Sequence, residues 1–173
     1  MTDKALVYLG VGSNIDRERH ITAALDILSE EFGGLAASSV YESEAVGFNG
    51  TNFLNMVVEL RTSLAVGALS ARLKQIEADH GRRRNAPKFA ARTLDLDMLV
   101  YDDLIGTIAG VQLPRAEILY NAFVLLPLSE VAPDRRHPQT RKSYRELWQE
   151  YHNEQTLWPV PFTWQGKIIS PRR

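Results

Sequence analysis

TLDLDMLVYDD, residues 93–103, alternates with a period of two: Leu94, Leu96 and Met98 fall on one face of an extended chain, Asp95, Asp97 and Leu99 on the other. That pattern predicts a strand with one side in a core. Working upstream, residues 65–79 (AVGALSARLKQIEAD) set Leu69, Leu73 and Ile76 on one helical face, and Gly81 stops them. The run FLNMVVEL at 53–60 predicts another strand, and a loop rich in Gly and Asn (46–52) separates it from an earlier strand at 35–41. Before that, Ile21, Ala24, Leu25 and Leu28 recur at helical spacing within 19–32, closed by Gly33-Gly34. Residues 4–11 (KALVYLGV) predict the first strand, running into a turn at Gly12, Ser13 and Asn14.

The resulting order, β-α-β-β-α-β, is that of the split βαβ or ferredoxin-like arrangement: an α+β domain with an antiparallel sheet and helices on one face. Downstream, residues 122–128 predict a further short strand or helix, and 143–151 a last helix. The expected domain is residues 1–151. The tail, 152–173, carries Trp158, Pro159, Pro161, Phe162 and Trp164, too aromatic for a solvated linker, and is expected to pack on the domain or on a neighbour.

At 173 residues, 45% hydrophobic and 24% charged, the chain fits one globular domain with a single well-buried core. Twenty basic residues against twenty-one acidic leave a net charge of -1, which gives no general attraction to nucleic acid or anionic membrane. Without cysteine there are no disulfides and no thiolate metal sites. Asp3 beside Lys4, with no long apolar run behind a basic head, reads as neither signal peptide nor membrane span, so the cytoplasm is expected.

The chemistry concentrates where the reading began. Asp95 and Asp97 sit two apart in a strand, so both carboxylates leave the same face within reach of a shared cation. Hard oxygen ligands on a rigid element suit Mg²⁺, which takes one or two protein carboxylates and completes its shell with water and phosphate oxygens. A lone D-x-D is more often a solvated strand face. Here Arg82, Arg83, Arg84, Lys88 and Arg92 lead into it, and guanidinium groups grip phosphate oxygens bidentately. No Walker glycine loop is present, and G-V-G-S-N is too short for a dinucleotide fingerprint. A phosphate cradle of another kind is expected.

The segment LKQIEADHGRRRNAPKFAARTLDLDML, residues 73–99, resembles the signature of the hydroxymethyldihydropterin pyrophosphokinases: a glutamate, then G-R-x-R, then R-T-L-D-L-D. GSN at 12–14, YESEAVG at 41–47, FLN at 53–55 and FVLLPLSEVAP at 123–133 fall in the family's order, so the resemblance covers roughly residues 5–150. It implies transfer of pyrophosphate from Mg-ATP to the hydroxymethyl group of 6-hydroxymethyl-7,8-dihydropterin, releasing AMP, in folate biosynthesis. It further implies that Asp95 and Asp97 hold two magnesium ions, that Arg82 and Arg92 lie on the nucleotide phosphates, that Arg84 also binds ATP, and that Glu77 lies near the nucleotide. Phe53 and Phe123 match the aromatic pair that sandwiches the pterin, Asn55 matches the residue that bonds its ring, and Ser43, Glu44 and Val46 add backbone partners. The expected partners are ATP and a hydroxymethyl dihydropterin, with no nucleic acid or membrane, for a monomer or weak homodimer.

The chain departs from the family pattern at several places. Phe53 replaces a tyrosine and keeps the stacking face. Phe89-Ala90-Ala91 stands where Trp-Gly-Pro is usual, in the loop expected to close over the pterin. Pro114-Arg115 replaces Pro-His on the nucleotide side, and Asn121 replaces an arginine. Arg115 is longer than histidine and always charged, and is expected to supply the displaced cation. The competing expectations are a divergent paralogue that binds pterin or nucleotide with little turnover, and an RNA-binding sheet. The latter is weakened by a missing aromatic RNP pattern and a slightly negative charge.

Overall fold

The structure, a computed structural model, describes residues 4–44, 52–81 and 94–172. Strand β1 (Ala5–Ser13) leads to helix α1 (Arg17–Phe32), the short strands β2 (Ala36–Ala37) and β3 (Val40–Ser43), the long strand β4 (Phe53–Thr62), helix α2 (Val66–Asp79) and strand β5 (Asp95–Tyr101). A small hairpin, β6 (Gly106–Ile108) and β7 (Val111–Leu113), precedes a 3₁₀ turn (Ala116–Leu119), helix α3 (Ala122–Val131) and helix α4 (Tyr144–Gln149). The tail supplies β8 (Leu157–Val160), β9 (Phe162–Trp164) and β10 (Lys167–Ser170).

The main sheet runs β5-β1-β4-β3-β8, with β2 also paired to β4 and every pairing antiparallel. This is the ferredoxin-like order expected from the sequence. The helices, however, cover both faces. On one, α1 and α2 bury Ile21, Leu25, Leu28, Leu69, Leu73 and Ile76 against Val7, Leu9, Val11, Met56, Val58, Leu96 and Met98. On the other, Val124, Leu125 and Leu128 of α3 and Tyr144 of α4 pack on Tyr8, Val57, Leu99 and Val100. The reason lies in the strands: β1 is apolar at both parities, and on a sheet helical on one side alone its Leu6 and Tyr8, with Val57 of β4 and Leu99 and Val100 of β5, would stand exposed as a row of large apolar side chains.

Local departures have local causes. The stretch 35–41 is not one strand, because Ser38 interrupts it: its amide donates to the Val57 carbonyl and its Oγ accepts the Val57 amide, both at 2.9 Å. The predicted turn at Gly12 and Ser13 is instead the end of β1. In β5 the alternation breaks after Leu99: Met98 pairs with Leu9 but Val100 with Tyr8, a bulge that sends Leu99 and Val100 to the same core. Residues 122–128 form a helix, and a capping box of Ser143 and Glu146 starts α4. The tail adds β8 to the sheet edge at β3, and Phe162 enters the first core. Among the described residues, no helix is long and apolar enough to cross a membrane.

Candidate active site

The site is organised by the end of β1. Gly12 pairs with Asp95 of β5 on one side and with Asn55 of β4 on the other, and Asn55 pairs in turn with Tyr41 of β3. Directly opposed residues share a face, so Asp95, Gly12, Asn55 and Tyr41 form one row across four strands. One step along, Gly10 pairs with Asp97; one step the other way, Phe53 pairs with Ser43. Parity with Tyr8, Val57 and Leu99 places all of these on the α3 face. Gly10 and Gly12 of β1 put no side chain of their own between the carboxylate-bearing strand and Asn55, and this low stretch of the face, bordered by Leu99 at Gly10, forms a trough.

Asn55 leans over that trough. A methyl on Gly12 would lie 2.8 Å from Asn55 Oδ1, a distance that real Cβ atoms essentially never show. The Asn55 amide donates from Nδ2 to Ser43 Oγ at 3.1 Å, which fixes its orientation. Ser43 is buried, Phe53 and Asn55 half-buried, and Glu44 exposed. Phe123 occupies the first turn of α3, half-buried against the second core.

A second feature lies along the free edge of β5, where α2, the β6–β7 hairpin and the 3₁₀ turn enclose a cleft of about 880 Å³. Glu77, Asp97 and Arg115 all line it. Glu77 is buried and its Oε2 accepts the Leu96 amide at 2.8 Å, binding α2 to the edge strand. The Arg115 amide donates to the Leu99 carbonyl at 2.8 Å, so the backbone at 115 is fixed to β5. Its guanidinium donates from Nε to Glu117 at 3.0 Å and lies 3.8 Å from Asp97 Oδ1. Burial alone would push the Arg115 pKa down, but the Asp97 and Glu117 carboxylates outweigh it and raise it. Asp97 thus belongs to both features, on the sheet face and on the cleft wall.

The structure therefore brings Asp95, Asp97, Phe53, Asn55 and Ser43 to one sheet face, and Glu77, Asp97 and Arg115 to one cleft. Arg82, Arg84, Arg92 and Val46, with Phe89-Ala90-Ala91, lie outside the described residues. Asn121 is not on the cleft wall; its Oδ1 accepts from Gln155 Nε2 at 3.3 Å. The sequence reading missed Gly12 as a site residue, although a glycine inside a strand signals close approach. It also missed Lys74, Gln75 and Tyr120 on the cleft wall, for which the sequence carries no signal. No cluster of three or more His, Asp or Glu side chains converges among the described residues. Two strand carboxylates beside an open cleft fit magnesium, which draws its remaining ligands from water and phosphate.

Residues 8–133 match the family described as 7,8-dihydro-6-hydroxymethylpterin-pyrophosphokinase. A protein of Aquifex aeolicus named 2-amino-4-hydroxy-6-hydroxymethyldihydropteridine pyrophosphokinase is 37% identical over 157 residues, 90% of this chain and 95% of its own. One of the same name from Pseudomonas aeruginosa is 37% identical over 139 residues, 78% of this chain and 85% of its own. Among solved structures, a Plasmodium falciparum HPPK-DHPS triple mutant with pteroate superposes with a TM-score of 0.68 at 12% identity, over 85% of this chain. At that identity the likeness concerns the fold, and the chain spans 43% of the solved one.

Proposed function

Since the chain belongs to the 7,8-dihydro-6-hydroxymethylpterin-pyrophosphokinase family and is an ATP-dependent pyrophosphokinase of folate biosynthesis, we propose that its trough holds the pterin and its edge cleft the nucleotide. The observation that carries this division is the position of Asp97, which faces the trough from β5 and also lines the cleft. A group passing from one ligand to the other would meet that residue first.

Phe53 and Phe123 supply π faces for a flat ring and Asn55 a fixed polar partner, its amide oriented by Ser43. Glu44 and Val46 add partners from the segment after β3. In the cleft, Arg115 provides a fixed cation beside Asp97, and Glu77 holds the wall to which the nucleotide docks. Arg82, Arg84 and Arg92 complete the phosphate clamp. Asp95 and Asp97 are the groups that would hold two magnesium ions. The metal, when bound, neutralises phosphate charge and orients the chain of phosphates.

The hydroxymethyl oxygen attacks the β-phosphorus of ATP, the bond from that phosphorus to the α-β bridging oxygen breaks, AMP leaves, and the hydroxyl proton passes to solvent. Little covalent work falls to the protein, so positioning and charge stabilisation account for the acceleration. The pyrophosphokinase unit is residues 1–151, and the tail that begins at 152 packs on it, β8 as an added edge strand and β9 with β10 as a separate hairpin. We place the protein in the cytoplasm, as a monomer or weak homodimer.

The test is AMP formation from ATP with 6-hydroxymethyl-7,8-dihydropterin and magnesium. The parent is expected to form AMP only with all three present, and Asp97→Asn to lose turnover by at least a hundredfold while melting like the parent. Parent-like turnover in Asp97→Asn would overturn the division of the site at Asp97.

A further inference from the structure

We propose that Gln155, in the C-terminal tail, is a positioning residue for the pterin end of the site; the inference rests on the reading of Phe123 and Asn55 just given. The N-terminus of α3 lacks its own cap: Asn121, the residue in the capping position, makes no side-chain bond to the helix. The first amides of a helix have no internal partner and need one from elsewhere. Gln155, more than thirty residues further along the chain, supplies it, its Oε1 accepting the Ala122 amide. The same side chain donates from Nε2 to the Tyr120 carbonyl at 3.4 Å and to Asn121 Oδ1 at 3.3 Å. Tyr151 adds a second tail contact, its hydroxyl donating to the Tyr120 carbonyl at 2.8 Å.

These contacts fall where the chain passes from one half of the site to the other. Tyr120 lines the cleft, and Phe123 is the proposed stacking ring. Two residues beyond Gln155, β8 begins, and Leu157 pairs with Ser43, the residue that orients Asn55. Within three residues the tail therefore touches the helix that carries Phe123 and the strand that carries Ser43. A tail placed this way sets the spacing between the stacking ring and the polar reader. Tyr120 keeps its bond from Tyr151 when Gln155 is lost, so the effect belongs on the pterin side rather than the nucleotide side.

The decisive variants are Gln155→Ala, which removes every bond, and Gln155→Glu, which retains the acceptor for the Ala122 amide, places a favourable charge at a helix N-terminus, and exchanges the two bonds donated by Nε2 for one that Asn121 can donate from Nδ2 once its amide turns over. Calorimetric titration of 6-hydroxymethylpterin, and separately of Mg-ATP, reads both halves of the site. Hydrogen exchange at the Ala122 amide reads the cap itself. For Gln155→Ala the expected result is a roughly fivefold weaker pterin affinity, Mg-ATP affinity within twofold, and at least tenfold faster exchange at Ala122. Gln155→Glu is expected to restore pterin affinity and amide protection to within twofold of the parent. A cap with a purely structural role would leave both affinities unchanged or lower both together, and either result overturns the proposal. So would a Gln155→Glu protein as impaired as Gln155→Ala. A parent protein that bound no pterin would instead overturn the functional reading, and this inference with it.

Discussion

Gly12→Ala separates what the trough does for the fold from what it does for the ligand. The added methyl would lie 2.8 Å from Asn55 Oδ1, against an ordinary contact beginning at 3.4 Å, so the amide must retreat by about 0.6 Å. The next nearest atom, the Leu54 carbonyl oxygen, is 3.7 Å away and needs no adjustment, so the sheet itself stays in place. Retreat takes Asn55 off its 3.1 Å bond to Ser43, a net loss of about 0.5–1.5 kcal/mol, and off its rotamer, about as much again. Against this, alanine in a strand recovers about 0.5–1 kcal/mol that glycine loses in chain entropy. The net destabilisation is about 1 kcal/mol, a few degrees in Tm for a domain of this size. Pterin affinity should fall much further, by about 1–3 kcal/mol, because the ligand's polar edge loses its partner in a desolvated trough. Melting curves with calorimetric titration of 6-hydroxymethylpterin check both numbers. A variant that melts near the parent and binds pterin equally well would refute the assignment of Asn55 as the polar reader.

Arg115→Ala is expected to weaken Mg-ATP about tenfold while leaving pterin affinity, measured without nucleotide, within twofold; equal ATP affinity at one fixed salt concentration would show that Arg115 does not replace the missing histidine. Asp95→Asn should abolish AMP formation and change stability by less than about 1 kcal/mol, since removing one of two like charges on a half-exposed strand face costs the fold little; urea denaturation measures the second part. Burial holds the His137 imidazole below its ordinary value of 6.5, and Nδ1 accepts the amides of Gln139 at 3.1 Å and Thr140 at 3.2 Å, so the unfolded chain takes up the proton more readily. Stability is then full above pH 6.5 and falls as pH drops from there toward the depressed folded value. His137→Gln should flatten that part of the profile between pH 7.5 and 5.5, and an unchanged slope would assign it to other groups.

How far the sequence could be read depended on whether a feature was local. The β5 stretch was legible because a period of two over Leu94–Met98 has one physical interpretation, and two aspartates on it share a face whatever the strand pairs with. Element order then fixed the sheet, since β-α-β-β-α-β closes with few alternatives. The second helical layer was not legible: the double-sided burial of β1, completed by Val57, Leu99 and Val100 from its neighbours, becomes evident only when strands are paired, and 122–128 reads equally as strand or helix by hydrophobicity alone. Gly12 looked like a turn for the same reason. A glycine followed by Ser-Asn is a turn signal locally, and what overrides it is Asn55, forty-three residues away, folding across the central strand. The tail shows the same limit at larger range. Its aromatic content predicted packing, but nothing in residues 152–173 indicates that Gln155 caps a helix whose own capping residue does not, or that Leu157 lies beside Ser43. Substitution of the family's arginine by Asn121 acquires a physical consequence only there: the short amide accepts a bond from Gln155, whereas an arginine, which has donors and no acceptor, could not accept that bond. The departure read in sequence as a lost nucleotide contact is, in the folded chain, also a gained contact to the tail, and the two ends of the site are held together by the segment that local reading described least.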